Sequence, residues 1–490
     1  MILSRDSGTD LNRQLVSGNH CGTVVPYGCE GLPIMMAINL QRRALLNVMM
    51  LGAGAMALPG RLLANAGSTL RWQNWSGNQV AHPEAMHFPM DEDALRQILK
   101  AAAGTVRVYG ASHSFSGLVP TDHTLISLEG MSGIRRHNPD ALTASFGPGT
   151  RIAMASAQNR EIGQSFMNEP DINLQSLAGA VATSTHGTGT SLPSLSGMVA
   201  DMRLMTADGE ILELSDADGD LFRAACASLG ALGIVTELTF KNVPAYRLQD
   251  ETRVMGLRDA MDLMEREHDK VRNLEFFAFP RGQTAIVKIT RITDEPDTPL
   301  KEADSNDILE MACDISMKAP WLIPAIQKAV TFLVEEEIRR GPAHVIYAQK
   351  RSVPFNEMEY TVPLDKGLAC LEEVCARIRD DRMNVFFPIE FRHSAADNSL
   401  IGMFSNRPGA SLSVHQYHRQ EYHTLFNAVE PIMQRYEGRP HWGKLHTMDA
   451  AGLANVHPGF EKFRELRRQL DPQGKLLNAH LRHILGENAA

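Results

Sequence analysis

From residue 70 onward the spacing of apolar and polar positions changes repeatedly, and each change predicts an element. Residues 93–102 carry Leu95, Ile98 and Leu99 at the spacing of one helix face. Residues 106–109, 124–128 and 142–146 predict short strands bounded by Gly, Asp and Ser turns. Residues 201–206 and 210–214 flank Asp208 and Gly209 and predict a hairpin. A helical stretch at 220–229 is predicted to end at Gly230, and residues 234–240 alternate as a strand. Beyond Pro244 the pieces lengthen: strands at 271–279, 284–289, 387–392 and 412–418, and a helix at 320–333 after its prolines. The run Glu335, Glu336, Glu337, Arg339, Arg340 predicts a solvated helix face with charge pairs at helical spacing. Phe460, Phe463, Leu466 and Leu470 form a helix face that Asp471 and Pro472 stop. The mixture predicts an α+β fold.

Length and composition add two constraints. At 490 residues the chain is long enough for two or more domains. A formal net charge of −9, with no stripe of Lys and Arg, excludes a general nucleic-acid binder. Before residue 70 the pattern is that of a leader. Arg42 and Arg43 precede an apolar stretch at 44–58 and a small-residue cleavage signal around Ala64 and Ala66. Paired arginines there resemble a twin-arginine export signal, with Met35 or Met36 as an alternative start. The expectation is a mature chain from about Gly67, exported to a bacterial periplasm and without stable membrane insertion once the signal is removed. The stretch is too short and Gly-rich to read confidently as a membrane span. Its glycines at 52 and 54 mimic a dinucleotide loop but lack a preceding strand and an acidic partner. Cys226, Cys313, Cys370 and Cys375 lack the paired spacing of a metal site, so no metal is expected. Cys370 and Cys375 read as packed small residues on a helix, where five-residue spacing is poor geometry for a disulfide.

Candidate chemistry gathers in a few segments. Gly110, Ala111, Ser112, His113, Ser114 and Phe115 follow a strand and expose one imidazole among small residues that allow close approach. Alone, such a histidine is more often an ordinary hydrogen-bonded loop residue. A second small-residue segment contains Gly179, Ala180, Thr183, Ser184, Thr185, His186, Gly187 and Gly189. It suits a narrow lining that offers N–H groups to a pyrophosphate or ribityl chain. The join around Gly233 and Ile234 also permits close approach. Farther on, Glu390 and Arg392 share one face of a predicted strand, as do His415 and Tyr417, while His418 faces the other way. Lys444 follows an aromatic-Gly turn that directs its cation toward a pocket. Either strand pattern taken alone is more often a structural ion pair.

Three of these segments, the histidine loop, the Thr-Ser-Thr-His-Gly run and the Gly-rich join, occur in the order seen in vanillyl-alcohol-oxidase-type flavoproteins. With the Lys444 segment and residues 471–478, the chain resembles their sugar-lactone and alditol oxidase branch over nearly all of its expected mature length. The resemblance implies a two-part FAD-binding domain of the PCMH type at 67–245, a substrate cap at 246–445, and a C-terminal return at 446–490 after the 1–66 leader. It implies FAD bonded covalently to His113. It also implies that Glu390, Arg392, His415 and Lys444 surround the reacting hydroxyl of a small polyol or sugar lactone. Arg392 and Lys444 would orient it, and Glu390 and His415 would relay its proton. Molecular oxygen is the expected acceptor, giving hydrogen peroxide. A dehydrogenase with another acceptor and a non-catalytic carbohydrate-binding relic are the alternatives.

Overall fold

The structure, a computed structural model, describes residues 70–299, 306–349 and 351–487. The leader predicted at 1–66 lies outside the described residues, as does part of the acidic stretch at 294–307. Among the described residues no helix is long and apolar enough to cross a membrane.

The first part contains two principal sheets. Ala85–His87, Thr124–Ser127 and Val106–Tyr109 form a parallel sheet with Thr124–Ser127 in the middle. Parallel neighbours require crossover connections, and helix Glu92–Ala101 lies in one of them. Asp91 caps it by accepting the Ala94 N–H at 2.8 Å, and its buried Leu95 and Leu99 pack with Val106 and Ile126. The second sheet centres on Ile234–Pro244, which pairs with Val199–Met205, Thr143–Phe146 and Gln164–Phe166. The predicted hairpin forms between Val199–Met205 and Ile211–Ser215, with Gly209 at φ +93° in its turn. The predicted helix at 220–229 is shorter, Asp220–Ala225, so Gly230 does not end it. Gly230 instead sits in a loop at φ +65°, where its carbonyl accepts from Arg107.

Arg107 explains why that loop is fixed. Its buried guanidinium donates to the carbonyls of Leu118, Leu229, Gly230 and Leu476 at 2.6–2.9 Å. A buried charge without such partners costs several kcal/mol, so one side chain draws a strand, two loops and the C-terminal segment together.

The second part is an eight-stranded sheet built from residues 247–440. Helices Leu257–Glu267, Gly367–Asp380 and His423–Arg435 pack with it into one core that includes Phe276, Tyr360 and Phe391. Cys370 and Cys375 are buried in that core as free thiols. The charged run at 335–340 is not a helix face. Glu337–Pro342 is a strand at the edge of this sheet, pairing with Arg247–Gly256. Alternation is the reason: Arg339 reaches buried Asp250 at 2.9 Å, while Arg340 donates to Gln249 at 2.7 Å. The chain then returns. Phe460, Phe463 and Leu466 of helix Phe460–Leu470 and Leu481, Ile484 and Leu485 of helix Ala479–Leu485 pack with Phe146, Phe222 and Phe240 in the first part.

One buried acid in this scaffold has a measurable consequence. Glu169 is 3% exposed and accepts from Ser156 at 2.8 Å; burial pushes its carboxyl from 4.5 to about 7. The fold therefore prefers the protonated form, so this contribution to stability falls as pH rises from about 4.5 through 7 and then levels off. Glu169→Gln is expected to match the wild type near pH 4.5 and exceed it at pH 8 by up to about 3 kcal/mol in urea unfolding. Equal stabilities at both pH values would contradict this.

Candidate active site

A cleft lined by residues from both parts encloses about 1720 Å³, its open mouth included. Val106, Leu118, Ile234 and Leu476 line its apolar portion, and Glu390, Arg392, His415 and Lys444 line its polar portion. Its glycines leave little room for side chains. A Cβ at Gly110 would run into Ser176 Oγ, one at Gly149 into the Leu128 carbonyl, and one at Gly233 into the Met205 carbonyl. Such walls admit a flat or extended ligand against backbone.

The histidine loop is positioned from below. Ser112 has φ +60° and is held by Trp72 Nε1, which donates to its hydroxyl at 3.0 Å, and by the Trp75 N–H, which donates to its carbonyl at 2.8 Å. His113 then faces the cleft with its ring 5.7 Å from that of Trp75, and it makes no hydrogen bond with any described residue. Burial, helped by the Arg151 and Lys444 charges, pushes its pKa down to about 4 and keeps the imidazole neutral. Gly110, Ala111, Ser112 and Ser114 line the cleft beside it. Phe115 lies behind that lining, stacked on Phe355 at 5.7 Å and 5.1 Å below Lys444 Nζ.

The second small-residue segment divides. Gly179, Ala180, Thr183, Thr185 and His186 line the cleft, as do Gly233 and Ile234 from the join. Ser184, Gly187 and Gly189 do not. Ser184 has φ +58° and is buried, Gly187 packs on the Glu169 carbonyl, and the Gly189 N–H donates to the His393 carbonyl at 2.7 Å. Gly189 thus fastens this segment to the strand that carries Glu390.

On the cap side, Glu390 and Arg392 project from strand Ile389–Ser394 and approach to 2.9 Å. Arg392 Nε donates to Glu275 at 2.8 Å, while its Nη2 is ion-paired with Glu390 at 2.9 Å and lies 3.4 Å from Asp171, neither contact being an aligned hydrogen bond. Strand Gly409–Tyr417 supplies His415, and the turn after Trp442 supplies Lys444. Tyr417 instead points to Asp314 at 3.0 Å, and His418 donates to the Pro354 carbonyl at 2.9 Å.

Sequence reasoning passed over Asp171, Arg351, Glu357, Glu359 and His441, all of which line the cleft. Glu357 and Glu359 lie on one face of strand Phe355–Pro363. Lys444 Nζ donates to Glu357 Oε2, His415 Nε2 stands 3.5 Å from Glu357 Oε1, and His186 Nε2 donates to Glu359 at 2.7 Å. Their only sequence signal is a pair of acids at strand spacing, a pattern that by itself marks a solvent face. Asp171 and Arg351 meet at 3.1 Å and offered no local pattern.

These contacts set the charges. Burial raises the Glu357 carboxyl, but Lys444 and His415 outweigh it and hold it at about 2. Burial likewise opposes the charged forms of His415 and Lys444, and the surrounding carboxylates, Glu357 foremost with Glu390 and, for Lys444, Glu359, together outweigh it, so both are held above their usual values. Glu390 moves the other way: burial lifts its carboxyl, with Asp171 adding to the rise against Arg392. His441 accepts the Gly443 N–H at its Nδ1 at 3.0 Å, and burial lowers its pKa to about 4. The polar portion therefore holds one reluctant carboxylate among fixed donors.

Comparison with known proteins follows the same division. Residues 83–215 match the FAD binding domain family, and residues 238–484 match the D-arabinono-1,4-lactone oxidase family. The chain is 33% identical over 425 residues to an L-gulono-1,4-lactone dehydrogenase of Mycobacterium tuberculosis, covering 85% of this chain and 99% of that protein. It is 28% identical to an alditol oxidase of a Streptomyces species, covering 84% and 98%. In fold it is similar to cholesterol oxidase from B. sterolicum, with a TM-score of 0.71 at 15% identity over 88% of this chain and 100% of that one. The glycine-walled cleft, the unbonded imidazole and the buried cations fit FAD.

Proposed function

Because this chain belongs to the D-arabinono-1,4-lactone oxidase family of FAD-linked oxidoreductases, we propose that it oxidises a secondary hydroxyl of a sugar 1,4-lactone. The observation that carries the reading is the convergence of Glu390, Arg392, His415 and Lys444 on the cleft that also contains His113. FAD held in the cleft would supply a two-electron acceptor for the carbinol hydrogen, chemistry that no side chain here can provide. The lactone carbinol loses a hydride and its hydroxyl proton and becomes a ketone. Oxygen, taking two electrons and two protons, becomes hydrogen peroxide.

The chain's residues orient the substrate and take its proton. His415 donates from Nδ1 to the Pro388 carbonyl at 3.1 Å, and its Nε2 faces Glu357, so both nitrogens confront acceptors and the ring is already protonated. Glu390 is then the group that accepts the hydroxyl proton, its raised pKa matching it to that task. The Arg392 guanidinium, whose Nη2 is ion-paired with Glu390 without an aligned hydrogen bond, and the Lys444 ammonium stabilise the developing oxygen charge. His113, neutral and without a hydrogen bond to any described residue, is the attachment point for the cofactor.

A different acceptor is the second reading, favoured by the dehydrogenase name of the mycobacterial relative, and an alditol is the competing substrate, favoured by the Streptomyces one. Mixing the holoenzyme anaerobically with hexono- and pentono-1,4-lactones, xylitol and sorbitol, then admitting oxygen or an artificial acceptor, separates these. The expected result is bleaching of the flavin by a lactone and peroxide on admission of oxygen. Bleaching by alditols alone would overturn the lactone assignment, and recovery only with the artificial acceptor would overturn the oxidase assignment. Acid precipitation is expected to leave the yellow colour in the pellet for wild type and in the supernatant for His113→Ala. Colour released from the wild type would contradict covalent attachment. Glu390→Gln is expected to slow flavin reduction roughly 10²- to 10⁴-fold with flavin retained; an unchanged rate would remove Glu390 from the proton transfer.

A further inference from the structure

Glu357 is 3% exposed and sits mid-strand, directly across the antiparallel ladder from His415. Its two oxygens are divided between two cations, Oε2 to Lys444 and Oε1 to His415. The segment that bears Lys444 is strapped to the same strand by backbone bonds: the Leu445 N–H donates to the Glu357 carbonyl and the His441 N–H to the Glu359 carbonyl, both at 2.9 Å. Lys444 and His415 come from different elements, and within the site this carboxylate is the group that touches both. We propose that Glu357 is a positioning residue for the oxidation, holding Lys444 and His415 together as two fixed proton donors beside Glu390. The proposal rests on the catalytic reading above and deepens it.

The geometry decides the protonation of His415. Its ring lies between the Pro388 carbonyl and the Glu357 carboxylate, with Glu390 and Lys444 as the other charged neighbours and the rings of Phe355 and Phe387 at 4.9 and 6.2 Å. Loss of a ring proton would turn a lone pair onto an acceptor. Lys444 faces Glu357, Glu359 and Glu390, and stands over the Phe115 ring. A glutamine at position 357 has one acceptor oxygen, so it satisfies one cation and presents N–H groups to the other. A carboxylate that merely filled a buried gap would be replaced by glutamine without changing how His415 titrates.

The test compares wild type, Glu357→Gln and Glu357→Asp as FAD-loaded proteins. The absorption spectrum of the bound flavin is followed against pH without substrate, and the anaerobic rate of flavin reduction against pH with lactone. His415→Asn identifies which spectral step belongs to His415. Glu357→Gln is expected to move that step toward acid by about one pH unit or more. It is also expected to lower the reduction rate about tenfold or more on the alkaline side. Glu357→Asp keeps the charge and is expected to retain the step near its wild-type pH with a slower rate. A His415 step at the same pH in wild type and Glu357→Gln would overturn the proposal, as would Glu357→Asp behaving like Glu357→Gln. Failure of every lactone and polyol to reduce the wild-type flavin would overturn the catalytic reading and leave the substrate-free titration to decide how Glu357 governs His415.

Discussion

Two carboxylates on one buried strand face are the constraint around which this site is arranged. Glu357 and Glu359 are each 3% exposed, and no charged pair survives such burial unless cations meet it. The side chains that meet them come from three separate places. His186 arrives from the small-residue segment after helix Leu177–Ala182, His415 from the neighbouring strand, and Lys444 from the turn beyond the cap sheet. Because each must reach the same strand, the first part, the cap sheet and the turn beyond it are brought into register at the cleft. The groups that neutralise the buried acids thereby become its walls.

Charge placement also explains the division of labour among the ionisable groups. Glu357 and Glu359 are held deprotonated by the side chains that meet them, which burial alone would not allow. Glu390, two strands away with the His415 strand between, is shared between Arg392 and Arg351, yet burial, with Asp171 adding to it, lifts its carboxyl. Carboxylates of similar burial thus acquire opposite properties from their neighbours, and only the lifted one suits proton transfer near neutrality. On the cofactor side, burial and nearby cations keep His113 neutral, and no described residue hydrogen-bonds its ring. Arg107 provides the mechanical counterpart, fixing through four carbonyls the loops that shape the apolar portion of the cleft.

The elements legible in the sequence were those whose chemistry is local. A strand feeding a small-residue loop announces His113, alternation puts Glu390 and Arg392 on one face, and an aromatic-Gly turn aims Lys444. Glu357 and Glu359 were not legible because acids at alternate positions of a strand ordinarily mark a solvent face. Only the distant His186 and Lys444 make that face an interior one. The same ambiguity affected residues 335–340, whose alternating charges pair across an edge strand where the sequence suggested a helix. Gly230 looked like a helix stop, but the helix ends at Ala225 and the glycine serves Arg107. Ser184, Gly187 and Gly189 share the composition of the lining and lie behind it, since one-dimensional composition does not reveal which residues of a turn face a cavity.

Removal of a hydride from a carbinol carbon beside a base with a raised pKa is the central claim, and deuterium at that carbon tests it most directly. In anaerobic rapid mixing, the account predicts that a lactone deuterated at the reacting position bleaches the flavin several-fold more slowly than the unlabelled compound. It also predicts that both rates rise with pH as Glu390 loses its proton. Equal rates for the two isotopologues across pH, with substrate binding and product release shown to be faster than bleaching, would contradict it.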